Sequence, residues 1–220
     1  MAEAKIISLL HTATSRNYLS RMNDDKVNAM IIARRYDKDY WDGERRYGYG
    51  GYHYIPGRWE QVAKDLIQMY HLDNRSKILD VGCGKGFLLF EIKKLLPGCT
   101  IVGFDISVYA IDHAKEEIKE HLFVQQAQQK YNFKNKEFDL VISITTLHNL
   151  ILPVLKKSLQ EIERVGKQKF IVVESYRTEK ELFNLQCWAL TAQAFFTPPE
   201  WRWLFDEFMY TGDYEFIYFE

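Results

Sequence analysis

Apolar residues recur along the chain with three different rhythms. Up to Tyr40 they fall into two helical stretches, Ile6, Leu9 and Leu10 in the first and Val27, Met30 and Ile31 in the second, whose spacing predicts helices docked onto a larger body. Between Tyr36 and Trp59 the segment YWDGERRYGYGGYHYIPGRW sustains neither a helical nor a strand period and reads as a loop rich in aromatics and glycines. Trp59, Val62, Ala63, Leu66, Ile67 and Tyr70 then return to helical spacing, and Asp73, Asn74 and Ser76 mark a turn.

From Lys77 the period changes. KILDV reads as a buried strand, GCGKG as a tight turn, and FLLFEIKKLL as a helix stopped by Pro97 and Gly98. The alternation continues with the strand TIVGFD, a helix capped by Ser107, a short strand at Leu122 to Gln125, and the strand FDLVIS ending at Ser143. Next come a helix with Pro153 in its first turn and an apolar face of Leu155, Leu159 and Ile162, and the strand FIVVE from Phe170 to Glu174. A helical stretch over Leu182 to Phe195, a short helix after Thr197 and the aromatic strand YEFIYF complete the pattern. Such alternation implies an α/β fold built on a parallel sheet.

The 220 residues suit one compact domain with an N-terminal elaboration. A formal net charge of −1 lacks the long-range field that attracts polyanions, which argues against a nucleic-acid partner. Cys83, Cys99 and Cys187 have neither CxxC spacing nor the density of a disulfide scaffold. No apolar run approaches the roughly 20 residues that span a bilayer, and the first residues lack the order of a signal peptide, so a cytoplasmic protein without a membrane partner is expected.

The turn Asp80, Val81, Gly82, Cys83, Gly84, Lys85, Gly86 lies between a strand and a helix, where doubly wound sheets bind nucleotides and where glycine lets a ligand approach the backbone. A pyrophosphate there would be opposed by Asp80, whereas a ligand with an ammonium and a sulfonium would be attracted to it. Asp105, about 20 residues beyond the loop at the end of the second strand, can accept both hydroxyls of a ribose.

ILDVGCGKGFLL resembles motif I of the class I S-adenosylmethionine (SAM)-dependent methyltransferases, VGFDIS resembles their ribose-binding motif II, and FDLVISITTLHNL is similar to their motif IV. The resemblance spans about Ile78 to Glu174. It implies a Rossmann-like fold with a mostly parallel seven-stranded sheet, helices on both faces, and an N-terminal helical and aromatic-loop cap. Residues 1–59 would form the cap and 60–220 the methyltransferase domain. By the same resemblance Asp80, Gly82, Cys83, Gly84 and Gly86 surround the methionine half of SAM, Asp105 its ribose, and Ser143 and Ile144 its sulfonium side. Ile106 packs on the adenine, and Gln126, or Gln128 beside it, meets adenine N6 where the family has an Asp-Ala or Asn-Ala pair.

The aromatic loop is either a static cover on the sheet edge or a lid with Tyr47 or Tyr49 near the donor, His53 facing the acceptor and Arg58 holding a carboxylate. Its YGYGGYHY ahead of GRW resembles a bacterial methyltransferase subgroup that accompanies surface-sugar pathways, which implies a sugar or polysaccharide precursor. His148 follows the fourth strand and Glu174 ends the fifth, both on the side where acceptors bind. Each is either the base for a protic acceptor or a structural strand-end residue. His11, His71, His113 and His121 read as surface positions, and no pair has metal-ligand spacing.

The expected activity is methyl transfer to a hydroxyl, amine or carboxylate of a small molecule by a monomer or homodimer. The alternatives are an RNA or protein methyltransferase, with Arg45, Arg46 and the tyrosines contacting phosphates and bases, and a SAM-binding subunit without chemistry. No Asn-Pro-Pro-Tyr motif follows the fourth strand to support nucleic acid.

Overall fold

The computed structural model describes residues 1–12 and 14–220, with Leu9 described by its backbone alone, so the place of Leu9 in the first apolar stretch lies outside the described side chains. Among the described residues six strands form one sheet: β1 (Lys77–Val81), β2 (Thr100–Asp105), β3 (Leu122–Val124), β4 (Phe138–Ile144), β5 (Gly166–Glu174) and β6 (Asp213–Ile217). Their order is β3-β2-β1-β4-β5-β6, and every neighbouring pair is parallel.

Strand residues alternate between faces, and both faces are buried. Ile78, Ile101, Leu140, Phe170 and Val172 pack beneath α5 (Glu60–Met69) and α6 (Phe87–Leu95) through Leu66, Leu89 and Ile92. Leu79, Val141, Ile171, Val173 and Phe216 face α8 (Leu152–Val165) and α10 (Pro198–Glu207) through Leu159, Ile162, Trp201 and Phe205. The helix α7 (Val108–Asp112) is capped by Ser107, whose Oγ accepts from the Ala110 amide at 3.0 Å.

Three expectations require correction. The seventh strand is absent from the described sheet: the outer edge of β6 is bonded instead by the first residues, Ala4 N donating to Tyr214 O at 2.8 Å and Tyr214 N to Ala2 O at 3.0 Å. β5 begins at Gly166 rather than Phe170, because Lys169, a residue that masks the strand pattern, is buried and satisfied by Glu163 at 2.8 Å and Thr211 at 2.9 Å. The helix α9 (Glu179–Trp188) stops short of Phe195, since Gln193 N and Ala194 N are drawn to the carbonyl of His148.

The N-terminal region contains four short helices, α1 (Ser8–Thr12), α2 (Tyr18–Asn23), α3 (Lys26–Ala33) and α4 (Lys38–Asp42). Val27 and Ile31 of α3 face solvent; the small residues Ala29 and Ala33 dock it against Leu190 instead. Ile6 and Ile7 share one core with Ile217 and Phe219, so cap and sheet are packed as one body. Glu215 of β6 anchors this region. Its buried carboxylate accepts the amides of Ile6, Ile7 and Ser8 at 2.7, 2.8 and 2.7 Å, ahead of and at the start of α1, where main-chain donors otherwise lack partners.

Glu215→Ala strands three buried or half-buried amides and is expected to lower stability by about 2–4 kcal/mol, read as a shift of the urea unfolding midpoint. An unchanged midpoint would show that Glu215 does not anchor the cap.

Candidate functional site

The order of strands reverses between β1 and β4, and the carboxyl ends of these two strands open the crevice in which such sheets bind ligands. After β1 the chain turns back through Gly82, whose φ of 81° places it in the left-handed region. A Cβ at Gly82 would lie 2.2 Å from Thr146 Oγ1, so the turn and the end of β4 are in direct contact. Ser143 Oγ donates to Val81 O at 2.8 Å, which ties the same two strands from within. Thr145, a β-branched residue with φ of 54°, is a strained position of the kind that costs about 1–3 kcal/mol. It stands on the cavity wall.

That cavity has a volume of about 510 Å³, within the range of small-molecule sites. Asp80, Gly82, Cys83, Gly84 and Ile144 line it at the β1–β4 end, and His148, Asn149 and Glu174 line it further along the sheet. Among the described residues Asp80 Oδ1 is buried without a hydrogen-bond partner, and burial, reinforced by nearby Asp105, pushes this carboxyl up to about 8. Asp105 is also buried; its two oxygens accept the amides of Gly84 and Ser107, each at 2.9 Å. Burial raises its pKa and these amides work against that rise. A carboxylate pair has about four lone-pair sites, so Asp105 retains acceptor capacity for a diol.

His148 is buried and Glu174 half-buried beside it. The Glu174 amide donates to His148 Nδ1 at 3.3 Å, which leaves the proton on Nε2, 3.3 Å from Glu174 Oε2. Burial lowers His148 to about 3, so it stays neutral, and raises Glu174 to about 7 against the opposing pull of Arg16 and Lys26. Both ring nitrogens are thus engaged by Glu174. Asn149 holds the carbonyls of Thr145 and Thr146 through Nδ2, while its Oδ1 is buried without a partner.

The outer wall comes from the N-terminal cap. Trp41 and Tyr49 stack at 5.3 Å with an interplanar angle of 7°, Tyr49 meets Tyr52 at 4.5 Å, and Tyr52 stacks on Phe87 of α6 at 5.0 Å. A Cβ at Gly84 would lie 3.0 Å from the Trp41 ring, so this stack rests on the glycine turn. Lys85 of the turn is bound to Asp42 at 2.7 Å, and Tyr109 and the Tyr52 amide also donate to Asp42. Burial raises the Asp42 carboxyl, but these donors outweigh it and hold it below its ordinary range.

Tyr47 is outside the cavity wall, packed beside Ala29, Ala33 and Leu190, and it is Tyr49 that lines the cavity. His53 and Arg58 line it from exposed positions. Ser143 is fully buried and turned to Val81, away from the wall. Ile106 and Gln126 are exposed at the ends of β2 and β3, beside Asp105 rather than inside the cavity, with Gln128 donating to Gln126 at 2.6 Å. Gly86 begins α6 and packs against Ile118 and Leu122. His11 corrects its surface reading: it lines the cavity with Nε2 at 3.1 Å from Tyr218 O, and burial lowers it to about 4. Among the described residues no group of three or more His, Cys, Asp or Glu could hold a metal ion, and no helix is long and apolar enough to cross a membrane.

Residues 72–208 match the family model of the methyltransferase domain. The chain is 26% identical over 121 residues to ribosomal RNA small subunit methyltransferase C of Buchnera aphidicola, covering 51% of this chain and 36% of that protein. It is 30% identical over 121 residues to malonyl-[acyl-carrier protein] O-methyltransferase of Acetivibrio thermocellus, covering 50% and 41%. The chain therefore spans less than half the length of these curated relatives. A putative methyltransferase from an antibiotic biosynthesis pathway of Anabaena variabilis shares the fold, with a TM-score of 0.53, 21% identity, and coverage of 67% of this chain and 60% of that one.

The raised Asp80 carboxyl has a consequence for stability. Between its unfolded pKa near 3.8 and its folded value of about 8, the folded state holds a proton that the unfolded state has released. Stability is therefore expected to fall as pH rises through this window, with the full penalty present above 8. Asp80→Asn removes that dependence and is expected to raise the melting temperature of the ligand-free protein at pH 8 to 9, while leaving it nearly unchanged at pH 4. A variant whose melting curve tracks the parent across pH 4 to 9 would show that Asp80 is not held protonated.

Proposed function

Since this chain belongs to the methyltransferase domain family, we propose that it transfers a methyl group from SAM to a hydroxyl or amine of a small-molecule acceptor, with Glu174 taking the proton. The observation that carries the reading is one cavity with an unpartnered carboxylate oxygen on Asp80 at one end and the Glu174 carboxyl further along.

The residues present fit the donor. Asp80 Oδ1 would meet its ammonium, the main chain at Gly82 and Gly84 its methionine portion, and the spare lone pairs of Asp105 its ribose, with Ile106 and Gln126 at the adenine side. When bound, SAM supplies an electrophilic methyl carbon on a positively charged sulfur. The protein's part is alignment of the acceptor and exclusion of water.

For that alignment Asn149 and the Glu174 carboxyl both belong to residues that line the cavity. A carboxyl on the wall suits an acceptor atom that bears a proton, an O–H or N–H, better than it suits a carboxylate. Glu174, rather than His148, is the base: the lone pair of His148 is occupied by the Glu174 amide, and its Nε2–H holds the carboxylate in place. The cap encloses the cavity on one side, which supports a small acceptor over an RNA or an acyl-carrier protein, and the place of Glu174 on the cavity wall counts against a subunit without chemistry. A sugar precursor, which the aromatic-loop resemblance implies, belongs to this protic class.

The Tyr47 to Trp59 segment acts in this reading as a lid, because Trp41, Tyr49 and Tyr52 rest on the turn that the donor must reach. Limited proteolysis is expected to cut this segment more slowly when S-adenosylhomocysteine is added. Identical digestion with and without ligand would favour a static cover.

Calorimetry is expected to show binding of S-adenosylhomocysteine, weakened by about 1.5–3 kcal/mol in Asp105→Ala, the range of charge-assisted hydrogen bonds. Absence of binding to the parent chain would end the proposal. With a turned-over acceptor, found by release of S-adenosylhomocysteine across a panel of hydroxyl and amine compounds, turnover is expected to rise with pH through about 7, where Glu174 loses its proton, and then level off. Glu174→Gln should lower kcat by roughly 10²- to 10⁴-fold and leave donor affinity nearly intact. Normal turnover in that variant would place the base elsewhere.

A further inference from the structure

Three arginines meet around one indole on the cavity wall. The guanidinium carbons of Arg16, Arg21 and Arg45 stand 5.3, 4.5 and 5.0 Å from the centroid of Trp188, at the end of α9. All four residues line the cavity. Among the described residues none of these arginines forms an ion pair. Their hydrogen bonds run mainly to main-chain oxygens: Arg16 to His11 and Thr14 at 3.1 and 2.9 Å, Arg21 to Trp188 and Arg45, both at 2.9 Å, and Arg45 to Gly48. Arg16 also reaches His11 Nδ1 at 3.2 Å, and among the described residues its Nε is buried without a partner.

Such a cluster costs folding free energy, because partly desolvated like charges repel and carbonyl dipoles hold them without neutralising them. Arg21 is drawn down to about 10 by burial and by the charge of Arg45. The chain does not lack acids: neighbouring cations are paired, Lys85 with Asp42, Arg46 with Asp24 and Arg177 with Glu181. The three guanidinium groups are thus fixed in direction, set over an aromatic ring, and, among the described residues, left without a direct ion pair on the wall of a small-molecule cavity, with Glu174 acting on Arg16 only from a distance. Planar forks of this kind match carboxylate and phosphoryl oxygens.

The cluster lies at the far end of the site from the donor. Asp80 ends β1, whereas Arg16 also stacks on Phe219, just past β6, at 5.3 Å. Three strand spacings separate β1 from β6 in the sheet, about 14 Å at roughly 4.8 Å each. An anion held at Arg16 stands toward β6, away from the carboxylate of a donor whose ammonium sits at Asp80. Glu174, on β5 between them, separates the two ends.

We infer that Arg16, Arg21 and Arg45, backed by Trp188, form an acceptor subsite for an anionic group, a carboxylate or a phosphoryl, placed away from the atom that is methylated. This rests on the methyl-transfer reading for the word acceptor, while the anion site itself stands on the geometry of the cluster. It divides the acceptor into a protic end at Glu174 and an anionic end at Trp188.

The test is calorimetric titration of the full chain at constant ionic strength with inorganic phosphate, inorganic pyrophosphate and succinate, with and without saturating S-adenosylhomocysteine. Saturable binding of the phosphates or of succinate is expected and tells a phosphoryl from a carboxylate preference. Arg45→Gln and the more conservative Arg16→Lys should each weaken that binding about tenfold or more, with S-adenosylhomocysteine affinity within twofold of the parent and an unchanged circular dichroism spectrum. Arg45 is the informative position if Arg16→Lys unfolds, since its guanidinium holds the carbonyl of Gly48 alone. No saturable binding of any of the three anions, or binding indifferent to both variants, overturns the inference. Failure of S-adenosylhomocysteine to bind overturns the methyl-transfer reading instead, and the titrations of the ligand-free chain still decide the anion site.

Discussion

A carboxylate buried with one oxygen unbonded is the constraint around which this site is organised. Asp80 ends β1, where strand direction, flanking glycines and the reversal of sheet order converge, and the protein offers that oxygen no donor. Burial, reinforced by Asp105, drives its pKa up and makes the ligand-free site costly. A cationic ligand relieves the cost, so the affinity of the site and the instability of the free protein have one physical origin. Residues held in such unfavourable states mark functional sites when the surrounding fold is strong enough to keep them there.

Strength is supplied by contacts that join distant parts of the chain. Ser143 and Thr146 lock the ends of β4 to β1, so the glycine turn cannot drift from the base side of the cavity. Lys85 and Asp42 fasten the cap to the turn, and Glu215 fastens the first residues to β6. The lysine of the glycine turn is therefore committed to holding the cap and is not free for a phosphate. His148 serves in the same way: its two nitrogens fix the carboxyl of Glu174.

Charge is distributed along the cavity with a sense. The Asp80 carboxyl lies at the β1 end of the cavity, Glu174 stands on β5, and Arg16, Arg21 and Arg45 line the cavity around Trp188. A ligand pair with a cationic donor and an anionic acceptor would enter such a field in one orientation, which aligns reacting atoms before any side chain moves.

The succession of strand, glycine turn and helix from Lys77 to Leu95, the acids at Asp80 and Asp105, and the later strands were legible in the sequence, because backbone period and turn chemistry are properties of neighbouring residues. The extra residues of β5, with Lys169 buried, were not, since the partners that make burial tolerable, Glu163 and Thr211, lie outside the strand. Nor was the orientation of Ser143 and Tyr47, both named as donor contacts and both turned to other neighbours. Only the tertiary structure gathered Arg16, Arg21, Arg45 and Trp188 around one point, made His148 a holder of Glu174, and filled the edge expected for a seventh strand with Ala2 to Ala4. Local pattern decides which element a residue occupies, whereas its charge state and partners depend on burial among residues far apart in the chain, and no period in the sequence records that burial.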